Sequence, residues 1–186
     1  MFKTKSLFFA YNSSVSFGFP DVCLRDGEDM LILGESGIGK TTFLHLMAGL
    51  LKPQSGTLEL QGRQFQSLSS REIDKFRGRH IGLVYQKPHF IASLTLEENM
   101  RLVQRLSGAS QDSDRILKVS TSLGIEHKLK VRSQKLSQGE QQRASIAMAV
   151  VNSPDLILAD EPTSNLDDKN CERVASVKGA VSAADG

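Results

Sequence analysis

The sequence predicts an α/β fold built around a parallel sheet, and three features of the chain carry that expectation. The apolar run Met30-Leu31-Ile32-Leu33 leads directly through glycines into a helical stretch. A second apolar run, Leu156 to Ala159, ends on two adjacent carboxylates, Asp160 and Glu161. Between them, residues 94 to 131 carry helical periodicity, and strands separated by helical segments pack as parallel sheets with helices on their faces. The 186 residues, 39% hydrophobic and 24% charged, are sized for one globular domain with a real core.

The start of the chain, basic and then apolar through Leu7-Phe8-Phe9-Ala10, has the outline of a signal peptide. Tyr11-Asn12-Ser13-Ser14 interrupts that run, and Val15, Phe17 and Phe19 then alternate as in a strand. Met30 to Leu33 reads as a buried strand, followed by a helix with Leu44, Met47, Ala48 and Leu51 on one face that stops at Lys52-Pro53. Thr57 to Leu60, set between Ser55-Gly56 and Gln61-Gly62, reads as a short strand between turns.

Ser69 to Arg79 is expected to be a solvated helix. Its basic residues Arg71, Lys75, Arg77 and Arg79 alternate with Glu72 and Asp74, which is a mixed surface rather than a nucleic-acid face. Ile81 to Tyr85 is the next strand. Leu96, Met100, Val103 and Leu106, then Ile116, Val119 and Leu123, recur at three- and four-residue spacing, and Ser107-Gly108-Ala109-Ser110-Gln111 divides this stretch into at least two helices. A helical subdomain over about 87–135 thus interrupts a core formed by 1–86 and 136–186.

Composition narrows the function classes. A net charge of +2 implies neither a polybasic nucleic-acid surface nor an acidic tail. Cys23 and Cys171 have no metal-ligand spacing and form no disulfide framework. No window approaches the ~18 apolar residues of a membrane span, so a membrane role is expected to be peripheral.

Gly34-Glu35-Ser36-Gly37-Ile38-Gly39-Lys40-Thr41 matches the phosphate-loop pattern at every required position, between a strand and a helix as the pattern demands. Its glycines let backbone N–H groups approach phosphates, and the helix starting near Lys40 presents orphan donors and roughly half a positive charge. Lys40 is expected to bridge β- and γ-phosphate oxygens, with the Thr41 hydroxyl on magnesium and Thr42 completing the ATP-binding set. Asp160 and Glu161 leave a strand with side chains on opposite faces, so one carboxylate can serve the magnesium shell and the other the attacking water. Ser137-Gln138-Gly139-Glu140 fits a capping box whose helix runs through Arg143, Ile146, Ala147 and Val150 to about Asn152.

The signature stretch Leu136-Ser137-Gln138-Gly139-Glu140-Gln141-Gln142-Arg143 and the strand ending in Asp160-Glu161-Pro162 together resemble the ATP-binding subunits of ABC transporters over nearly the full chain. Residues 81–86, 94–99 and 158–167 are most similar to the lipoprotein-release, macrolide-export and cell-division branch. The resemblance implies a P-loop core with a parallel sheet, a small antiparallel β subdomain and the helical insert. It also implies a dimer that sandwiches two ATP molecules. In it Ser137, Gln138, Gly139 and Glu140 serve the partner's ATP, Gln86 senses magnesium and water, Glu161 is the catalytic base, Asp160 is a magnesium ligand and Asp167 lies at the dimer seam. Tyr11 falls where the family stacks an aromatic ring on adenine. Lys87 to Phe90, with Ile91 and Leu94, falls where a permease docks, which places the protein on the cytoplasmic face of the inner membrane, in contact with the membrane only through that permease.

Two departures from the pattern carry their own expectations. Gln138 stands where the family has glycine, and an ordinary backbone at a helix start predicts little cost. All four histidines precede Asp160, and the chain ends at Gly186, so the strand and switch histidine of the family are expected to be missing, leaving a gap in mid-sheet and slow or absent hydrolysis. The competing readings are a regulatory ABC-type protein, or a truncated non-hydrolysing form, that binds ATP without driving transport. ABC-type DNA-repair proteins and translation factors need long coiled-coil inserts or tandem cassettes, and the chain has neither.

Overall fold

The computed structural model describes residues 1–160 and the backbone of a strand at Gly179–Asp185. Strands β1 (Phe2–Ala10), β2 (Ser16–Gly18) and β3 (Val22–Leu24) precede β4 (Glu28–Gly34) and helix α1 (Lys40–Met47). Then come β5 (Ser55–Leu60), β6 (Arg63–Gln64), α2 (Ser70–His80) and β7 (Ile81–Val84). Helices α3 (Leu96–Leu106), α4 (Ser113–Ser122) and α5 (Gln138–Val150) lead to β8 (Leu156–Asp160) and β9 (Gly179–Asp185).

An antiparallel sheet runs β2-β1-β5-β6, with β3 also on β1. Phe2 and Thr4 are buried on one face of β1. An irregularity between Lys5 and Phe8, with Ser6 at φ 49, then shifts the alternation so that Leu7 is buried too. The second sheet is parallel throughout, in the order β4-β9-β8-β7. β8 is buried on both faces, which is why it reads as an uninterrupted apolar run. Leu156 and Leu158 enter a core shared with β1, β5, α1 and α2, while Ile157 and Ala159 enter a second core beneath α3, α4 and α5.

The structure departs from the sequence expectations in three places. The first is the gap expected in mid-sheet: β9 takes the position between β4 and β8, pairing in parallel from Glu28↔Gly179 to Gly34↔Asp185 on one side and from Ile157↔Ala180 to Asp160↔Ala183 on the other. Its Ala, Ser and Gly residues are poor strand formers, so local propensity hides it.

The second is β4, which is buried on one face rather than two. Met30 and Ile32 pack into the first core, but Leu31 and Leu33 are 59% and 61% exposed, because α5 lies against β7 at the far side of the sheet. The third is the end of α1, which stops at Met47 instead of running to Leu51. Gly49 takes the left-handed conformation at φ 65, and the amides of Leu50 and Leu51 both return to the His45 carbonyl.

The remaining helices start where their sequences say. Ser69 with Glu72, Thr95 with Glu98, and Ser137 with Glu140 form complete capping boxes for α2, α3 and α5.

Gly82 is where β7 meets α5. A Cβ there would lie 2.5 Å from the Ala149 carbonyl oxygen, so Gly82→Ala forces strand and helix apart. It is expected to destabilise the fold by about 1–3 kcal/mol, measured by urea unfolding. An unchanged urea midpoint would show that this contact is slack.

Candidate functional site

The C-terminal ends of β4, β8 and β7 lie along one edge of the parallel sheet, the edge where open α/β sheets place their ligands. At the end of β4, Gly34 to Gly39 wrap into a loop that enters α1. Gly37 at φ 86 and Gly39 at φ 100 make the left-handed turns that this loop needs. Lys40 is buried, and its ammonium donates to the carbonyls of Gly34 at 2.7 Å and Glu35 at 2.9 Å, closing the loop around itself. Glu35, Ser36, Gly37 and Ile38 form the exposed rim.

Unlike the other helices, α1 has no side-chain cap and no acidic residue in its first turn. Its first amides therefore have no carboxylate competing for them, which favours an incoming anion.

Thr41 and Asp160, 119 residues apart in sequence, meet at this mouth. The Thr41 hydroxyl donates to the Asp160 carboxylate at 3.2 Å. Val84 pairs with Ala159, so Gln86 follows just beyond the end of β7, beside the strand that carries Asp160, and is exposed. Among the described residues no cluster of three or more His, Cys, Asp or Glu side chains forms.

Tyr11 lies just past β1, 55% exposed, and its hydroxyl shares a 3.2 Å hydrogen bond with the buried Thr42 hydroxyl on α1. One face of the β1–β2 hairpin carries an aromatic series: Phe9 against Tyr11, Tyr11 against Phe17, Phe17 against Phe19, and Phe19 on Phe43 of α1. The family resemblance points to Tyr11. For Phe17 the sequence shows only a strand alternation, although the Phe17 ring lies against Gly39 of the loop. The alternation of Phe17 and Phe19 was the available signal, but their partner on α1 is set by tertiary packing.

The signature residues stand apart from the phosphate loop, on α5. Ser137, Gln138 and Gly139 are exposed at its N-terminus, and Gln138 is not among the residues with positive φ, so the substitution of glycine there meets no backbone strain. The Glu140 carboxylate accepts from the Ser137 amide at 2.8 Å and from Lys128 at 3.1 Å. The Ser137 amide first, and Lys128 next, lower the Glu140 pKa from 4.5 to about 2. Lys128 is a further residue that the sequence did not mark, because it comes from a 3-10 turn, Glu126–Lys128, outside the signature. Glu161 and Asp167, the expected catalytic base and dimer-seam residue, and Cys171 lie outside the described residues.

Known proteins are similar to this chain in sequence and in fold. The ABC transporter family model matches residues 20–164. The lipoprotein-releasing system ATP-binding protein LolD of Buchnera aphidicola is 43% identical over 149 residues, 79% of this chain and 65% of that protein. LolD of Psychrobacter arcticus is 41% identical over 157 residues, 83% of this chain and 70% of its own length. The chain therefore spans 65% to 70% of the length of these curated relatives. Among solved structures, the ATP-binding cassette MJ0796, dimeric in a post-hydrolysis state bound to ADP and Pi, superposes with a TM-score of 0.83 at 30% identity, covering 98% of this chain and 87% of that one.

Because the folded pKa of Glu140 is depressed, its contribution to stability is complete above about 4.5 and is lost as the pH falls toward about 2. Urea midpoints of the wild type and Glu140→Gln should converge as the pH falls through that window. A separation that does not change with pH contradicts the assignment.

Proposed function

The chain belongs to the ABC transporter family, and from that membership we propose that it is the ATP-binding and ATP-hydrolysing subunit of a transporter of the lipoprotein-releasing kind, driving a separate membrane permease. The observation that carries this reading is the 3.2 Å hydrogen bond from Thr41 to Asp160, which joins a phosphate loop to the end of β8. A simple phosphate-binding loop has no need of that carboxylate. A phosphoryl-transfer site does, because the hydroxyl and the carboxylate are hard oxygen donors of the type that hold magnesium, and magnesium supplies charge neutralisation across the phosphates.

The division of labour follows from position. The α1 amides and the Lys40 ammonium bind and orient the triphosphate, Lys40 exchanging its bonds to Gly34 and Glu35 for phosphate oxygens. Thr41 and Asp160 would hold the metal, which would neutralise charge on the phosphates, while Gln86, just beyond the end of β7, positions the attacking water and Glu161 takes its proton. Tyr11 offers an exposed ring for the base.

Ser137, Gln138 and Gly139, exposed on α5, serve the ATP of a second subunit, and Asp167 meets that subunit at the seam. The dimeric MJ0796 cassette supports this arrangement. For the permease, Ile91 is 48% exposed beside the half-buried Phe90. A groove of about 500 Å³, with Tyr85, Val103, Leu106 and Met148 beside Asp74 and Arg77 in its wall, offers a largely apolar surface that a short helix would cover. No helix among the described residues is long and apolar enough to cross a membrane, which fits a subunit held at the cytoplasmic face of the inner membrane through its permease.

Glu161→Gln is expected to retain ATP binding, to lower turnover by on the order of 10²–10³-fold, and to elute as a dimer with ATP in size-exclusion chromatography. Retained hydrolysis would remove Glu161 from the role of base. Gln138→Gly is expected to change turnover less than about threefold, since no strain is there to relieve; a tenfold rise in steady-state ATPase would contradict that.

A further inference from the structure

The aromatic face of the β1–β2 hairpin touches the phosphate loop at a point the proposed chemistry does not use. Phe17 is paired across the hairpin with Phe9, so the register of two strands decides where its ring projects. On one side the ring stacks at 6.1 Å on Phe19, which stacks in turn at 4.8 Å and 6° on Phe43, a buried residue in the first turn of α1. On the other side it meets the edge of Tyr11 at 6.4 Å, and Tyr11 is itself bonded to Thr42 of α1. The ring is thus held between two contacts that both end on the same helix.

What the ring presses against is Gly39. A Cβ built there would lie 2.7, 3.0 and 3.2 Å from the Cδ1, Cε1 and Cγ atoms of Phe17, and these are its three nearest neighbours. The left-handed backbone does not by itself explain this contact. Gly37 has a similar φ of 86, yet has nothing within 4 Å of its Cβ position. Gly39 is also the N-cap of α1, and its carbonyl accepts the Phe43 amide at 2.8 Å. The peptide that Phe17 backs is therefore the one from which the first turn of α1, with its phosphate-facing donors and Lys40, takes its direction.

We propose that Phe17 is a positioning residue of the phosphate loop, its ring edge fixing Gly39 so that the first-turn amides of α1 and Lys40 point at the triphosphate. The assignment rests on the ATP-binding reading above and adds a residue to it. A displacement of about 1 Å at such a site can cost up to 10²-fold, so loss of a supporting ring is a measurable event.

The test uses the full chain and two ligands, magnesium ATP and magnesium tripolyphosphate, with affinities from titration calorimetry and thermal unfolding recorded alongside. Phe17→Ala is expected to weaken both ligands by the same factor, on the order of tenfold, because the loop rather than the base is disturbed. Phe17→Val, which keeps strand propensity while withdrawing the ring, is expected to do the same and carries the test if the alanine variant does not fold. Phe17→Tyr keeps the Cγ–Cδ1–Cε1 edge that touches Gly39 and is expected to hold both affinities within about twofold.

A variant that loses ATP but not tripolyphosphate makes Phe17 a wall of the base site and overturns the proposal. So does a lowered unfolding temperature with both affinities unchanged, which is a purely structural role. Wild-type protein that binds neither ligand defeats the ATP-binding reading itself, a result separate from any behaviour of the variants.

Discussion

The parallel register of the second sheet is the constraint on which everything else depends. Parallel strands cannot be joined by tight turns, so each connection must cross over the sheet, and helices come to lie on its faces. The same geometry sends the C-terminal ends of β4, β8 and β7 to one edge, although they come from residues 34, 160 and 84 of the chain. Thr41 and Asp160 can form a hydrogen bond only because two strands far apart in sequence end at the same level. Burial of β8 on both faces makes that level hard to change, since a slip of one residue would exchange Leu156 and Leu158 in one core with Ile157 and Ala159 in the other.

The helix termini divide into two kinds, those capped by their own side chains, among them α4 with Asp112, and α1. Three helices begin with a hydroxyl residue and a glutamate three positions later, satisfying their own first amides and placing a carboxylate at the positive end of the dipole. Helix α1 begins with glycine and carries neither. An anion arriving at α1 meets first-turn amides that no side chain caps and the Lys40 ammonium. An anion arriving at α5 meets a terminus already closed by Glu140, with Lys128 offsetting the carboxylate's charge. The α5 terminus is therefore closed by its own side chains, whereas the α1 loop is closed by the Lys40 ammonium on the Gly34 and Glu35 carbonyls and leaves its helix start without a side-chain cap.

Much of this was legible in the sequence, and the exceptions share a cause. The phosphate loop, the capped signature helix and the strand ending in Asp160 are local patterns, and local backbone preference decides them. β9 was not legible because Gly179, Ala180, Ser182, Ala183 and Ala184 carry little strand preference, and its place between β4 and β8 is decided by pairing on both sides. The exposure of Leu31 and Leu33 was equally hidden, since an apolar run gives no sign of which face of its strand a helix covers. Phe17 and Lys128 reach the candidate site from outside every motif, one from a hairpin and the other from a 3-10 turn. Only tertiary packing makes them neighbours of Gly39 and Glu140.

Gly139 poses the converse question, a motif residue for which the chain supplies no reason of its own. It lies inside α5 without positive φ, and a Cβ there would make an ordinary 3.6 Å contact with Arg143. Alanine would fit both the space and the backbone angles. At Gly39 the absent side chain is explained by φ and by the Phe17 ring; at Gly139 neither reason applies. The remaining physical use of glycine is to let another molecule come close to the backbone, and Gly139 is exposed at the helix terminus where an anion would come. In the function proposed above, that molecule is the nucleotide of a second subunit. Glycine at this position thus fits the sandwiched dimer proposed above, in which the approach to the Gly139 backbone would be completed only between two chains.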